Sequence, residues 1–140
     1  DSHKAFMAMK YGKQKLDDAF ENHWKPAVKQ TGFDLFRSDD TPTAGSITNK
    51  MRVEIRRSRF VVADLTFGNQ GAYWEAGFAE GLGKPVIYMV EHDYFEENKT
   101  HFDVNQQQTV VWQRENMDQA VNDLKDIIRA TLPDVAILDD

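Results

Sequence analysis

A glutamate among aromatic and small residues is the group in this sequence best suited to chemistry. Glu75 lies in the segment "AYWEAGF", directly after Tyr73 and Trp74 and three residues before Phe78. Side chains of this kind exclude water, and a carboxylate shielded from water can be tuned for nucleophilic or acid/base work. A structural role is the alternative, because the helix dipole stabilises an acidic residue near a helix amino terminus by about 0.3–1 kcal/mol. The residues alone leave both roles open.

The apolar pattern around Glu75 predicts the elements that position it. The run "RFVVADL" (59–65) is apolar on both faces, which is typical of a central strand in a parallel sheet. A helix is predicted over about 70–82 and ends at Gly83, and "PVIYMV" (85–90) follows as another buried strand. Glu75 therefore lies in the first turns of a helix that follows a central strand.

The rest of the chain repeats this alternation of strand and helix. Strands are predicted at "KAFMAM" (4–9), "FDLFR" (33–37) and "TVVW" (109–112). Helices are predicted from residue 15 to the cap glycine Gly32, from a Ser46 cap along a stripe of Ile47, Met51 and Ile55, and over 116–131. Parallel strands joined by right-handed crossovers follow. We predict a three-layer α/β/α sandwich with a mostly parallel, Rossmann- or flavodoxin-like sheet of about five strands.

The predicted sheet selects one edge for ligand binding. In open parallel sheets, ligands bind beyond the carboxyl ends of the strands, where the strand order reverses. The loops at that edge are "MKYG", "RSDDTPTAGS", "DLTFGNQGAYWE" and "VEHDYFEE". Glu75 is therefore expected at the rim of the cleft.

Composition limits the classes of partner. With 140 residues and 41% hydrophobic content, one domain over residues 1–140 is expected, and the start at Asp1 suggests a processed form or a piece of a longer chain. A net charge of −6 argues against a nucleic-acid binder. No apolar run approaches the roughly 18 residues of a membrane span, so no membrane partner is expected. The absence of cysteine excludes thiol chemistry and is compatible with the cytoplasmic location that we expect.

Metal and phosphate motifs are weak. His92 with Asp93, and His101 with Asp103, lack a third ligand at useful spacing. The segment "GLGKP" lacks the spacing of a phosphate loop and is predicted to be a helix end and turn. We expect neither a metal nor a cofactor.

The segment "ADLTFGNQGAYWEAGFAEGLGKPVIYM" resembles the signature of the nucleoside 2-deoxyribosyltransferase superfamily. In that signature a strand ends in Asp, and a polar loop leads to a "Y-x-E-x-G-x-A" helix start. TIR-like NAD-cleaving domains share this plan. The segments "KAFMAMKYG" and "GSITNKMRVEIRRSRFVVADLT" extend the resemblance over most of residues 4–90. The resemblance implies a nucleotide or nucleoside substrate and a homo-oligomer.

By motif position, the resemblance implies that Glu75 attacks or stabilises the anomeric carbon of a ribosyl group as the N-glycosidic bond breaks. Cleavage passes through an oxocarbenium-like state that a nearby carboxylate stabilises. Asn69 lies where deoxyribosyltransferases often have an aspartate, and an amide cannot act as a general base. This departure favours cleavage of NAD or a ribonucleotide over deoxyribosyl exchange.

Further candidates lie in the same loops, each with a structural alternative. Lys10 could meet a phosphate and Tyr11 could stack on a base, or the two could be a solvated lysine and a packed tyrosine. Asp64 could contact ribose hydroxyls or cap its loop, and Trp74 could stack on a base or pack. The predicted substrate-binding residues are Met9, Lys10, Tyr11, Asp39, Asp40, Asp64, Asn69 and Trp74.

Two functions follow from these residues and the resemblance. The first is N-glycosidic bond cleavage or ribosyl transfer on NAD, a nucleoside or a nucleotide, with Glu75 as the catalytic carboxylate, as in a NAD hydrolase of bacterial defence signalling. The second is a non-catalytic module that senses a nucleotide or oligomerises. Release of a base on incubation with these substrates distinguishes the two.

Overall fold

Five strands and six helices alternate along the chain in a computed structural model, which describes residues 2–39, 47–98 and 109–140. The strands are β1 (Lys4–Ala8), β2 (Asp34–Phe36), β3 (Phe60–Asp64), β4 (Val86–Glu91) and β5 (Thr109–Trp112). The helices are α1 (Gln14–Ala19), α2 (Lys25–Gln30), α3 (Asn49–Arg56), α4 (Gln70–Gly81), α5 (His92–Glu97) and α6 (Met117–Thr131). None of the helices within these ranges combines the length and apolarity that a membrane crossing needs.

All five strands are parallel, in the order β2-β1-β3-β4-β5. This order confirms the predicted α/β/α sandwich and makes it flavodoxin-like. The chain leaves β1 for β2 on one side and then crosses back over β1 to β3, so the order reverses between β1 and β3. The carboxyl ends of these two strands, at Ala8 and Asp64, flank the expected ligand edge.

Alternating residues of the strands build a core on each face of the sheet, because successive side chains of a strand point to opposite faces. On one face, α1, α2 and α6 cover Ala5 and Met7 of β1, and Trp24 packs edge-on against Trp112. On the other face, α4 and Ile55 of α3 cover Phe6 and Ala8 of β1 and Val61 and Ala63 of β3. The side of α4 that faces the sheet is made of small residues, namely Gly71, Ala72, Ala76 and Ala79.

Three details of the helices differ from the sequence-based prediction. Helix α5 forms inside the predicted loop "VEHDYFEE". The helix predicted from Ser46 begins at Asn49, and its cap is Thr48, whose hydroxyl accepts a 3.1 Å hydrogen bond from the Met51 amide; Ser46 itself lies outside the described residues. The long first helix is continuous but π-helical over Phe20–Trp24. Pro26, which follows, has no N–H to donate to the preceding turn, and a π-helical segment accommodates such a break.

Candidate functional site

Glu75 lies on the buried side of α4, next to the row of small residues that contacts the sheet. Only 2% of its surface is exposed, although Tyr73 and Trp74 beside it are exposed. Small neighbours allow α4 to pack closely on β1 and β3, the two strands that flank the switch point. Its Oε1 atom is buried and has no hydrogen-bond partner among the described residues. The structure therefore buries Glu75 with one unpaired carboxyl oxygen in the helix that follows β3.

Burial sets the protonation of this carboxylate. Desolvation, followed by the charge of Glu54, raises the pKa of Glu75 from 4.5 to about 8. Within the described ranges no basic side chain forms an ion pair with Glu75. At neutral pH the free protein therefore holds Glu75 mainly in the protonated form.

Glu54 of α3 is a second carboxylate at this place, and the sequence analysis missed it. Its Oε1 atom is also buried without a hydrogen-bond partner in the described part of the chain. The signal was present, because Glu54 lies between Met51 and Ile55, the two residues of α3 that are fully buried. A side chain next to the apolar stripe of a helix lies at the edge of the buried face, whatever its charge.

Tyr11 is close enough to Glu75 and Glu54 for their charges to add to the rise that burial causes in its pKa, and Arg37 lies over the Tyr11 ring. The Tyr11 hydroxyl donates a 2.8 Å hydrogen bond to the carbonyl of Ser38, which links the loops after β1 and β2. Burial, and then the charge of Glu75, raises the pKa of Tyr11. The Arg37 guanidinium lies 4.7 Å from the centre of the Tyr11 ring, at cation–π distance, and pairs with Asp17 at 2.7 Å. The ring predicted to stack on a base is thus already covered by a guanidinium on one face.

Asp64 ties together the loops at the ends of three strands. Its Oδ1 accepts hydrogen bonds from the Thr66 amide at 2.9 Å and the Thr66 hydroxyl at 2.5 Å, and its Oδ2 accepts one from the Trp112 indole at 3.0 Å. The Thr66 hydroxyl in turn accepts from the Glu91 amide at 2.9 Å. Desolvation raises the pKa of Asp64 to about 6 despite these donors. Both carboxylate oxygens thus accept hydrogen bonds from groups inside the protein. This agrees with the structural role, capping of the loop, that the sequence offered as an alternative to ligand binding.

Asp64→Ala is expected to lower the free energy of unfolding by about 2–4 kcal/mol. The change leaves the buried donors of Trp112 and Thr66 without an acceptor, and each orphaned group costs about 1–3 kcal/mol. Urea denaturation measures the loss, with Asp126→Asn on the exposed side of α6 as the control. A loss below about 0.5 kcal/mol, the range of ordinary surface substitutions, would contradict the structural role of Asp64.

Asn69 is the N-cap of α4. Its side-chain oxygen accepts a 2.9 Å hydrogen bond from the Ala72 amide. The sequence analysis considered Asn69 only as a ligand contact and missed the cap, although Asn is a preferred capping residue and directly precedes the predicted helix. The cap fixes where α4 begins, and thereby the turn on which Glu75 lies.

Asn69→Ala is expected to cost about 1 kcal/mol of stability, because it removes the acceptor for an amide of the first turn. Asn69→Asp is the matched variant, and we expect it to retain the stability, since aspartate caps as well and its charge suits the helix dipole. Urea denaturation of the three proteins provides the test. Equal loss in both variants would show that capping is not the role of this side chain.

The other predicted residues are spread around the same edge. Met9 is buried in the core, and Lys10 is half-buried directly after it. Asp39 is exposed and forms an ion pair with Lys50, whose hydrogen bond holds the pKa of Asp39 below its usual value. Asp40 lies outside the described residues. The structure thus brings Tyr11 and Glu75 together and leaves Asp39 at the surface.

Trp74 lies on another side of α4 from Glu75 and is 55% exposed. It borders a cavity of about 520 Å³ between α4 and the start of α3. The lining residues are Ile47, Arg52, Tyr73, Trp74, Gly77 and Phe78. The homo-oligomer implied by the sequence resemblance stays a prediction.

The chemistry available at the switch point is that of two carboxyl groups and a phenol. Among the described residues, no group of three or more His, Cys, Asp or Glu side chains is arranged to hold a metal ion. A protonated carboxyl group donates hydrogen bonds, whereas the ionised form accepts them, attacks carbon or stabilises positive charge. The site therefore suits proton transfer and, when a carboxyl group is ionised, the stabilisation of positive charge.

Comparisons with known proteins show the fold. The sequence matches no protein-family model and no curated protein. The structure is similar to a response regulator receiver protein from Sinorhizobium medicae WSM419, with 14% identity over 93% of this chain and 97% of that one and a TM-score of 0.50. The TIR domains of the activated Roq1 resistosome, which directly recognises the pathogen effector XopQ, align with 17% identity over 90% of this chain and 83% of that chain, at a TM-score of 0.48. At 14% identity the likeness to the receiver protein extends to the fold alone, a parallel α/β sandwich.

Proposed function

We propose that this protein cleaves or transfers the N-glycosidic bond of NAD or of a related nucleoside or nucleotide, with Glu75 as the catalytic carboxylate. The observation that carries the proposal is the burial of Glu75, with one unpaired carboxylate oxygen, at the edge of the sheet where the strand order reverses. An unpaired buried carboxyl group is costly to maintain, and such groups concentrate at functional sites. The motif around Glu75, "YWEAGFA", supports the same role through its resemblance to the deoxyribosyltransferase signature.

The proposed chemistry fits the electrostatics of the site. The ionised Glu75 attacks the anomeric carbon while the carbon–nitrogen bond breaks and the base leaves with the bonding electrons. Positive charge develops on the sugar ring in the transition state, and a carboxylate in a shielded site stabilises such charge strongly. Water or an acceptor base then displaces Glu75 from the sugar. Attack by water gives hydrolysis, and attack by an acceptor base gives transfer.

A second candidate is a module that senses a nucleotide without turning it over. It is favoured by the raised pKa of Glu75, because a protonated carboxyl group at neutral pH is a hydrogen-bond donor suited to recognition. In this case the ligand binds at the same edge of the sheet and is released intact.

The test incubates the purified protein separately with NAD, ribonucleotides and deoxynucleosides and follows released base by chromatography. Glu75→Gln is the test variant, and Asp126→Asn, an equivalent change on the exposed side of α6, is the matched control. Release that persists in the control and disappears in Glu75→Gln supports the glycosidase. Binding of one compound without release supports the sensor, and release that is unchanged in Glu75→Gln overturns the role of Glu75.

A further inference from the structure

The loop after β3 holds an exposed phenylalanine in a backbone conformation that bulky residues rarely adopt. Phe67 has a φ of 68° and a ψ of 13°, in the left-handed region, and 42% of its surface is exposed. Residues kept in such sparsely populated conformations cluster at ligand-binding and active sites. Burial in the core does not explain the strain, because the residue stays at the surface.

Three loops meet at the ring of Phe67. Tyr94 of α5, which follows β4, meets this ring in a T-shaped contact with 5.9 Å between the ring centroids. Gly68 allows the approach, since a Cβ atom there would lie 2.8 Å from the Tyr94 hydroxyl. The Lys13 ammonium, from the loop after β1, lies over the Phe67 ring at 5.5 Å from its centroid. The ring is therefore held beyond the carboxyl ends of β1, β3 and β4, at the edge expected to bind a ligand.

The loop after β1 brings positive charge to this ring. Lys10, Lys13 and Lys15 follow one another closely in the sequence. Glu91 neutralises Lys15, whereas no carboxylate of the described residues forms an ion pair with Lys13. A cation beside an exposed aromatic ring suits a ligand that combines a planar ring with an anionic group.

We propose that Phe67 and Lys13 bind a nucleotide, with its base stacked on the Phe67 ring and its phosphate at the Lys13 ammonium; this inference rests on the nucleotide ligand of the proposed function. The base takes the place of the ammonium over the ring, and the ammonium donates charge-assisted hydrogen bonds to the phosphate oxygens. A nucleoside supplies the base without the phosphate. The ligand class therefore narrows to phosphorylated compounds, namely nucleotides and dinucleotides such as NAD.

The experiment measures the binding of AMP, adenosine and NAD by calorimetry to Glu75→Gln, in which cleavage does not consume the ligand. This protein is expected to bind AMP and NAD about 10-fold more tightly than adenosine, because a hydrogen bond to a charged group is added. A further Phe67→Asn change is expected to weaken the binding of all three compounds by about 10-fold, because base stacking is lost. A further Lys13→Gln change is expected to weaken AMP and NAD by about 10-fold and to leave adenosine unchanged.

Controls separate stacking from packing. Phe67→Tyr retains an aromatic ring and should retain the affinity. Lys29→Gln removes a lysine that pairs with Asp34 at the opposite edge of the sheet, and it should leave binding unchanged. Asparagine tolerates the left-handed conformation, so Phe67→Asn is expected to melt at a temperature at least as high as its parent. A clearly lower melting temperature would assign Phe67 to packing and overturn the proposal.

The outcomes separate this inference from the proposed function. Equal affinity for AMP and adenosine, or unchanged AMP binding after either Phe67→Asn or Lys13→Gln, overturns the nucleotide site at Phe67. Base release that Glu75→Gln abolishes would in that case leave the glycosidase standing. AMP binding that both substitutions weaken, in a protein whose wild-type form releases no base, supports the site and overturns the cleavage. Absence of binding by all three compounds overturns the site and the nucleotide ligand together.

Discussion

Glu75→Gln is expected to reduce the rate constant of base release by on the order of 10³-fold or more. The variant retains the size of the side chain but cannot attack carbon or carry the charge that stabilises an oxocarbenium-like state. Removal of a nucleophile typically costs at least as much as removal of a general acid or base, which contributes about 10²–10⁴-fold. Single-turnover chromatography on the substrate that the wild-type protein cleaves measures the loss.

The dependence of this rate on pH identifies the form of Glu75 that reacts. The pKa of Glu75 in the free protein is about 8, so kcat/KM is expected to rise with pH and to level off above that value if the ionised form is the nucleophile. The residual activity of Glu75→Gln should lack this rise. An activity that falls through the same pH range would instead make the protonated carboxyl group the reactive form and contradict nucleophilic attack.

The same substitution is expected to stabilise the protein in alkaline solution. The pKa of Glu75 is raised from 4.5 in the unfolded chain to about 8 in the folded protein, so the folded state binds the proton more tightly. The free energy of unfolding therefore falls as pH rises from about 4.5 to about 8, because ionisation is disfavoured only in the folded state. At about 1.4 kcal/mol per pKa unit, the loss amounts to on the order of 4 kcal/mol. The glutamine side chain of the variant carries no charge at any pH and escapes this loss.

Urea denaturation at several pH values tests this expectation. Asp64, whose pKa is raised to about 6, contributes equally to all three proteins, so above about pH 6.5 the difference between the wild-type protein and Glu75→Gln reports the ionisation of Glu75. We expect the wild-type protein to lose stability across that interval and Glu75→Gln to lose much less. Asp126→Asn should follow the wild-type curve. Parallel curves for the wild-type protein and Glu75→Gln would show that this carboxyl group ionises without cost in the folded state.

The sheet and its helices were predictable because each depends on a local pattern. The run in β3 is apolar at every position before its final aspartate. The helix after it ends at Gly81, two residues before Gly83, whose φ of 77° is the left-handed conformation that glycine adopts just after helix ends. The parallel order follows from the alternation of strands and helices. The π-helical turn before Pro26 was missed because a helical pattern of apolar residues does not show which carbonyl each amide bonds.

The site was predictable only in part. Glu75 was found because it departs from the apolar pattern of its own helix, and Glu54 was detectable from the buried stripe of α3. The bond between Asp64 and Trp112 joins residues 48 positions apart. No local pattern contains such a contact, so the sequence could offer the structural role of Asp64 only as one of two alternatives.

The position of the Glu75 carboxyl group depends on how the row of alanines beside it packs in the core. Ala72, Ala76 and Ala79 set the distance between α4 and the sheet, and Glu75 projects from the same side of the helix. A larger residue at any of these positions would push the helix outwards and move the carboxylate with it. During divergence, substitutions in this part of the interior and changes in the chemistry of the cleft are therefore not independent, and the pattern of small residues should be inherited together with the glutamate.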